Sequence, residues 1–109
     1  MEIGTDIEKV ARFKLAKNSP FLNTHFTKNE LEYAYSHTKP EMHLCGFFCA
    51  KEAVNKTLSK SVLLKNIEVS HEKSGRPLVK IKGKKDSFLL SISHCEEYAV
   101  AFVVREGKK

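Results

Sequence analysis

The sequence lacks any apolar run long enough to cross a lipid bilayer, which excludes a membrane span. Its first residues, 1–4, also lack the basic region and long apolar segment that a secretion signal requires, so we expect a cytoplasmic protein. No internal repeat, low-complexity segment or interdomain linker interrupts the chain. At 109 residues, the sequence therefore predicts a single domain over residues 1–109 with a core of its own.

Cysteine is sparse, and the three residues Cys45, Cys49 and Cys95 are an odd number in a chain without a secretion signal. A disulfide framework is therefore not expected. No Cys-x-x-Cys or His-Glu-x-x-His spacing occurs, which argues against a zinc site. We predict free thiols that are buried as small apolar side chains.

Acidic residues are in the minority, because 13 Asp and Glu face 19 Lys and Arg and leave a net charge of +6. Such a positive field favours acidic proteins, phosphates, nucleic acids or anionic membrane surfaces. With the aromatic residues Phe88 and Phe102 on strand-like segments, it motivates one alternative, a small basic nucleic-acid-binding module. The sequence lacks the aromatic signature of an RNA recognition motif and a concentrated Lys/Arg stripe, which argues against that alternative.

The N-terminal segment predicts a strand followed by a helix. Residues 1–7 carry alternating β-type side chains, and residues 8–17 suit a short basic helix that ends before Pro20. Asp6 then falls at the junction of the two elements. Its simplest role there is an N-cap, whose carboxylate accepts a hydrogen bond from a free backbone N–H.

Two further helices are predicted from their end signals. Thr27 and Glu30 fit a capping box, and Phe26 and Leu31 occupy the positions of a hydrophobic staple around it. This helix should stop before Pro40, which is well placed as the first residue of the longest helix. That helix should run to about position 58, and its glycine at position 46 predicts close packing against another element.

The longest helix has an apolar stripe and a face that can do chemistry. Glu52 and Lys56 lie one turn apart on this second face, beside the first two cysteines. From the helix alone, their simplest interpretation is a solvated ion pair worth a few tenths of a kcal/mol. The opposite stripe consists of Phe47, Ala50, Val54 and Leu58.

The C-terminal half changes to a period of two, which predicts an antiparallel meander. Its turns contain Gly75 and Gly83, and the last residues should form a frayed tail. Helices grouped before strands, with one strand ahead of them, indicate the α+β class. The predicted strands are 67–70, 78–81, 88–93 and 98–104, with turns at 74–77, 82–86 and 95–97 and the tail at 106–109.

Three separated blocks of the sequence resemble one known family, the holo-acyl-carrier-protein synthases. The resemblance extends to Phe26-Thr27, Glu30, Gly75 and Pro77, and so covers nearly the whole chain. It implies a 4′-phosphopantetheinyl transferase-like fold, in which an N-terminal strand and helices pack on an antiparallel meander. The blocks are Ile3-Gly4-Thr5-Asp6-Ile7 with Arg12-Phe13, then Phe48-Cys49-Ala50-Lys51-Glu52-Ala53-Val54-Asn55-Lys56, then Ser91-Ile92-Ser93-His94 with Ala99 and Ala101.

The resemblance implies an enzyme of fatty acid biosynthesis. It would transfer the 4′-phosphopantetheine group of coenzyme A to a serine of an acidic acyl carrier protein, with Mg²⁺, and release adenosine 3′,5′-bisphosphate. It also implies a homotrimer with the coenzyme cleft between subunits, and association would cover exposed strand edges. A third alternative keeps the fold without the activity, as a carrier-protein-binding partner. The presence of Asp6, Glu52 and Lys56 argues against it.

By the same resemblance, particular residues acquire catalytic roles. Asp6 and Glu52 match the two carboxylates that hold Mg²⁺, a hard cation that prefers oxygen ligands and neutralises phosphate charge. Lys56 matches a lysine near the pyrophosphate. Arg12 matches the arginine that docks the carrier protein, on the predicted basic helix. The group that removes the serine proton stays open between Glu52 and a metal-bound water.

Further residues are matched to binding of the coenzyme. Gly75 and Pro77 match a loop on the nucleotide side, although an ordinary hairpin turn explains them equally well. His94 matches a nucleotide-binding residue, and its alternative is an exposed turn histidine. Phe47 stands where the family often has an arginine, so Lys51, Arg76 or Lys80 could supply the missing charge. The glycines that commonly follow the long helix are replaced by Ser59-Lys60-Ser61.

Overall fold

A computed structural model describes residues 1–108 and confirms the α+β class. No helix in this part of the chain is both long and apolar enough to cross a membrane. The elements are β1 (Glu2–Lys9), a 3₁₀ helix (Val10–Phe13), α1 (Pro20–His25), α2 (Lys28–Tyr35), α3 (Pro40–Lys56), a second 3₁₀ helix (Leu64–Asn66), β2 (Ile67–His71), β3 (Pro77–Ile81), β4 (Asp86–His94) and β5 (Tyr98–Lys108).

The strands are antiparallel as predicted, but they form two sheets, so the C-terminal strands are not a single meander. One sheet has the order β1-β5-β4, and the other pairs β2 with β3. β5 pairs with β4 on one side and with the N-terminal β1 on the other, so Asp6 lies opposite Ala101. The predicted frayed tail is wrong for residues 106–108, because β5 continues through them and pairs with the start of β4. Residue 109 lies outside the described part of the chain.

The predicted basic helix over residues 8–17 is also wrong. β1 pairs with β5 as far as Lys9, and the backbone N–H of Val10 donates to the carbonyl of Glu97 at 2.9 Å. These long-range bonds override the local helix propensity, and only a 3₁₀ helix follows. Asp6 is therefore a residue inside a strand, and the N-cap interpretation fails. The short helix α1, which begins at Pro20, was not predicted.

The other local signals are confirmed. Thr27 Oγ1 accepts from the backbone N–H of Glu30 at 3.2 Å, and the Glu30 carboxylate accepts from the backbone N–H of Thr27 at 2.9 Å. Pro40 is the first residue of α3, which ends at Lys56. A Cβ on Gly46 would lie 3.0 Å from a methyl group of Ile92, which confirms the close packing predicted there.

The helix α3 forms the centre of the core and is buried on nearly all sides. It crosses β1 at Gly4, where a Cβ would overlap the backbone carbonyl of Ala53, so only glycine allows this approach. Cys45 and Cys49 are fully buried, as expected for small apolar side chains, whereas Cys95 is exposed and corrects that expectation. The contact at Gly4 places the inner face of β1 directly against the C-terminal half of α3.

Lys51 is fully buried, which removes it from the possible contacts to a coenzyme. Its Nζ lies 2.5 Å from the Glu30 carboxylate and donates to the carbonyls of His25, Leu64 and Ile67 at 3.0, 3.1 and 2.8 Å. Burial lowers the pKa of Lys51 and raises the pKa of Glu30, and the ion pair opposes both shifts. The pair therefore joins α2 and α3 to the start of β2.

Candidate active site

Asp6 and Lys56 meet between β1 and the last turn of α3. The strand alternates so that Asp6 points towards the helix, and the Lys56 amine lies 3.3 Å from its Oδ1. The same amine donates to the backbone carbonyl of Thr5 at 2.9 Å. Glu52 lies one turn earlier on α3 and is half-buried. Among residues 1–108, Lys56 pairs with Asp6 and not with Glu52, so the simple helical ion pair is not formed.

The second carboxylate oxygen of Asp6 has no partner. Oδ2 is buried and makes no hydrogen bond within the described residues, and the side chain as a whole is 12% exposed. An unpaired buried carboxylate oxygen costs on the order of 1–3 kcal/mol or more. A cation bound at this oxygen would remove that cost.

A third carboxylate, Glu8, lies on the same face of β1 and was not predicted as part of the site. Burial raises the pKa of Glu8, and the neighbouring Asp6 carboxylate raises it further. Arg12 forms an ion pair with Glu8. The missed signal was the strand alternation itself, because it continues past Ile7 and places Glu8 beside Asp6.

The carboxylates of Asp6 and Glu52 fit a hard divalent cation. Mg²⁺ typically takes one or two carboxylates and completes its octahedron with water and substrate phosphates. Within residues 1–108, no group of three or more His, Cys, Asp or Glu side chains is arranged to hold a metal by itself. The unpaired Oδ2 of Asp6 therefore suits a cation whose remaining ligands come from water and substrate.

Arg12 lies beside this carboxylate cluster, at the surface. Its side chain is 48% exposed, and its guanidinium lies 5.5 Å from the ring centre of Phe13 and 5.3 Å from that of Phe48. The ring contacts and the pair with Glu8 hold the arginine in a defined position. Lys9, Lys14 and Lys17 are exposed nearby in sequence, so the segment is basic although it is not the predicted helix.

Gly75, Pro77 and His94 meet in a second place, a cleft of about 200 Å³. Gly75 has a φ of +93°, a value that glycine adopts at little cost because it has no Cβ. Phe47 is 3% exposed and forms part of the cleft wall. Arg76 is exposed between Gly75 and Pro77, and it remains the candidate for an additional positive charge.

A larger cavity, of about 650 Å³, lies elsewhere and contains neither the residues predicted for catalysis nor Gly75, Pro77 and His94. Its lining includes Lys80, so this possible source of positive charge for the coenzyme lies outside the 200 Å³ cleft. The cavity is open and lysine-rich, with the additional basic residues Lys28, Lys65, Lys82 and Lys84.

The predicted site residues thus fall into two clusters on one chain. His43, which lines the cleft, and Lys56 lie on the same helix and are roughly 20 Å apart along its axis. At 100° per residue, their side chains also leave the helix in different directions. The structure brings Asp6 to Lys56 and brings Gly75 and Pro77 to His94, but it keeps these two groups apart.

This combination of an α+β fold and a carboxylate–lysine cluster matches a family of transferases. The sequence-family model that describes the 4′-phosphopantetheinyl transferase superfamily matches residues 2–103 of the chain. The chain belongs to this superfamily, which sets aside the nucleic-acid-binding alternative.

Individual relatives narrow the assignment within the superfamily. The chain is 46% identical over 107 residues to a holo-[acyl-carrier-protein] synthase of Thermodesulfovibrio yellowstonii, covering 94% of this chain and 95% of the relative. A crystal structure of a holo-(acyl-carrier-protein) synthase from Bacillus anthracis in complex with CoA (3′,5′-ADP) superposes with a TM-score of 0.84 and 32% identity, covering 98% and 96%. The corresponding enzyme of Neisseria meningitidis gives a TM-score of 0.82 and 30% identity, covering 96% and 97%. Within the superfamily, the chain groups with the holo-[acyl-carrier-protein] synthases.

Proposed function

We propose that the chain transfers the 4′-phosphopantetheine group of coenzyme A to a serine hydroxyl of an acidic acyl carrier protein. The serine oxygen forms a bond to the phosphorus next to the pantetheine arm, the pyrophosphate bond breaks, and adenosine 3′,5′-bisphosphate leaves. The observation that carries the proposal is the unpaired Oδ2 of Asp6, whose other carboxylate oxygen contacts Lys56, one helical turn after Glu52. The relatives' activity and the coenzyme-bound relative support it. The reaction would take place in the cytoplasm and serve fatty acid biosynthesis.

Asp6 and Glu52 would hold Mg²⁺, because both are half-buried carboxylates where β1 meets α3, whereas Glu8 is already paired with Arg12. When bound there, the cation would neutralise negative charge on the pyrophosphate. Both carboxylates are held in fixed positions, because Asp6 lies in a strand paired with β5 and Glu52 lies on the buried helix α3. Glu52 or a water molecule would accept the serine proton.

Lys56 would stabilise charge on the leaving group. An ammonium group has three N–H donors, and in this chain two of them are engaged by Thr5 and Asp6. The third remains for a phosphate oxygen, and the side chain is 57% exposed, so a substrate can reach it. Its two existing contacts would hold the amine in position as charge develops on the phosphate.

The decisive experiment is the mass spectrum of an apo acyl carrier protein after incubation with the enzyme, coenzyme A and Mg²⁺. We expect the mass of the carrier to increase by that of one phosphopantetheine group. Omission of coenzyme A and replacement of the acceptor serine by alanine are the controls. An unchanged carrier mass would contradict the proposed transfer. If the carrier still bound, that result would support the alternative of an inactive binding partner.

We expect a homotrimer in which two subunits share each coenzyme cleft. Gly75, Pro77 and His94 would bind the nucleotide end, whereas Lys56 would contact the pyrophosphate. The separation of these groups on one chain supports a cleft completed by a neighbour. The outer face of the sheet β1-β5-β4 also exposes large apolar side chains, which association would cover. These are Ile3 (64% exposed), Ile7 (62%), Leu89 (45%), Val100 (38%) and Phe102 (48%).

Introducing a charge on this apolar face should dissociate the protein. We expect Phe102→Glu to yield monomers, because the trimer would have to bury an unpaired carboxylate at the subunit contact. Light scattering at micromolar concentration should give three times the chain mass for the wild type and the single chain mass for the variant. Lys85→Glu, at an exposed turn outside the sheet, is the matched control. A wild-type monomer with full activity would contradict both the trimer and the shared cleft.

Arg12 would dock the carrier protein. An exposed basic segment beside the metal-binding carboxylates would steer an acidic partner through contacts that salt screens. We therefore expect Arg12→Glu to raise the KM for the carrier roughly tenfold, while the KM for coenzyme A stays nearly constant. Initial rates with each substrate varied in turn provide the measurement.

Lys17→Glu makes the same change of charge and is the matched control. Lys17 belongs to the same basic segment, but its amine lies 6.0 Å over the ring of Tyr35 and does not contact Glu8. We expect its effect on the KM for the carrier to be much smaller. If Arg12→Glu impaired both substrates equally, or neither, the carrier would have to approach from another face.

A further inference from the structure

Three of the five histidines of the chain line the 200 Å³ cleft, and a fourth packs against one of them, although all four come from distant parts of the sequence. His37 follows α2, His43 lies on α3, His71 ends β2 and His94 ends β4. The ring centres of His37 and His43 are 4.2 Å apart, and those of His43 and His94 are 6.4 Å apart. We call these four residues the histidine cluster.

Tyr33 packs against three of the four histidines of the cluster. Its ring stacks on His71 with a centre-to-centre distance of 4.4 Å, and it lies 4.6 Å from His37 and 5.5 Å from His43. The face of an aromatic ring attracts a cation, so this tyrosine would stabilise protonated imidazoles around it. The lining of the cleft contains no lysine or arginine among the described residues, so its capacity for positive charge lies in the histidines.

We propose that binding of coenzyme A in this cleft is coupled to proton uptake, because the histidine cluster becomes cationic when a phosphate monoester of the nucleotide enters it. The proposal rests on the proposed function, which supplies coenzyme A as the ligand. A phosphate monoester carries close to two negative charges at neutral pH and has three strong acceptor oxygens. A neutral imidazole can donate one hydrogen bond to this phosphate, but only a protonated imidazole can form an ion pair with it.

In the protein without a bound anion, protonation of His43 and His71 is disfavoured. Burial lowers the pKa of His43, and the other three histidines of the cluster lower it further by charge repulsion. Burial and His37 lower the pKa of His71 in the same way. The charged residues near these histidines in sequence include Lys39 and Glu41 at the start of α3, Glu72 and Arg76 at the turn after β2, and Glu96 and Glu97 after β4. At neutral pH, both half-buried histidines are therefore neutral until an anion compensates the repulsion.

The geometry also leaves nitrogen atoms free for a ligand. His37 Nδ1 lies 2.7 Å from the carbonyl of Tyr33, to which it donates, so its Nε2 remains available. Within residues 1–108, the ring nitrogens of His43, His71 and His94 make no hydrogen bond to protein. Among residues 1–108, the four histidines do not form a group arranged to hold a metal ion by themselves.

The direction of the pH dependence follows from these contacts. The complex binds more protons than the free protein, so affinity for coenzyme A rises as the pH falls from about 8 towards about 6. Each proton taken up contributes at most about tenfold per pH unit. Below about pH 6 the phosphate monoester itself gains a proton, and the increase in affinity should level off.

Calorimetric titration of the intact protein with coenzyme A at several pH values and constant ionic strength tests the proposal. We expect the Kd to fall roughly three- to tenfold between pH 7.5 and 6.5. Titrations in buffers of different ionisation enthalpy should show net proton uptake. Dephospho-coenzyme A, which lacks the 3′-phosphate, should bind with little pH dependence.

Two variants test which histidines take up the protons when coenzyme A binds. His43→Gln and His71→Gln keep polar side chains that cannot become cationic, so each should flatten the dependence of the Kd on pH. Using both keeps the test decisive if circular dichroism shows that one does not fold. His25→Gln is the matched control, because His25 lies outside the cluster, against Phe21 and Phe48. It should keep the wild-type slope.

The outcomes separate this inference from the proposed function. Coenzyme A that bound with a Kd independent of pH, or with the same slope as dephospho-coenzyme A, would overturn the proton coupling and leave the transferase function intact. A slope unchanged in both variants would also overturn it. Absence of coenzyme A binding at every pH would overturn the proposed function and the inference together.

Discussion

Replacing Asp6 or Glu52 by alanine is expected to lower kcat for carrier-protein modification by roughly 10²–10³-fold or more. Each change removes one of the two carboxylates proposed to hold Mg²⁺, and with it the charge compensation at the pyrophosphate. Turnover should be measured over a range of Mg²⁺ concentrations, because partial recovery at high Mg²⁺ would show that metal affinity is what was lost.

The stability of Asp6→Ala provides a second readout. The substitution removes a buried oxygen that has no hydrogen-bond partner, and the Lys56 amine it releases is largely exposed. We therefore expect a free energy of unfolding equal to or slightly above that of the wild type. Glu2→Ala, at an exposed position of the same strand, is the control for both measurements. Normal turnover at limiting Mg²⁺ would exclude the substituted residue from the metal site.

Lys51→Met should destabilise the protein by about 3–5 kcal/mol, the largest effect on stability that we expect. The variant leaves the Glu30 carboxylate buried without its cation, and three backbone carbonyls lose a donor. Denaturant unfolding of the variant and of Lys60→Met, an exposed control just beyond α3, gives the difference.

The pH dependence of the Lys51→Met variant identifies the cause. Burial raises the pKa of Glu30 above its ordinary value, and loss of the lysine removes the interactions that oppose this shift. A carboxyl whose folded-state pKa is raised favours the folded state at low pH and loses that contribution as it ionises. The variant should therefore recover stability relative to the wild type as the pH falls through the pKa of Glu30. A loss that is independent of pH would point to packing instead of the stranded charge.

Local signals in the sequence predicted local structure well. The capping box at Thr27, the helix start at Pro40 and the tight packing at Gly46 each depend on a few neighbouring residues. The end of β1 was misplaced because it depends on β5, which lies more than 80 residues away in sequence. No propensity of residues 8–17 indicates that partner, and the division of the strands into two sheets was missed for the same reason.

The site was predicted in part, and its errors have a common cause. Spacing on the helix suggested that Lys56 pairs with Glu52, but the lysine reaches across to Asp6 on the strand. Glu8 was missed because its segment was assigned to a helix. The burial of Lys51 and the histidine cluster depend on contacts between elements far apart in sequence, and neither follows a fixed spacing that a motif could capture.

The backbone contact between Gly4 and Ala53 fixes the distance between β1 and α3 at the proposed active site. Asp6 stands two residues from one side of this contact, and Glu52 and Lys56 flank the other. Any side chain at position 4 would push the helix away from the strand, although Asp6, Glu52 and Lys56 would all still be present. A displacement of about 1 Å can cost roughly 100-fold in rate. Gly4 therefore sets the distance between Asp6 on the strand and the two proposed catalytic residues on the helix, although it would touch no substrate itself.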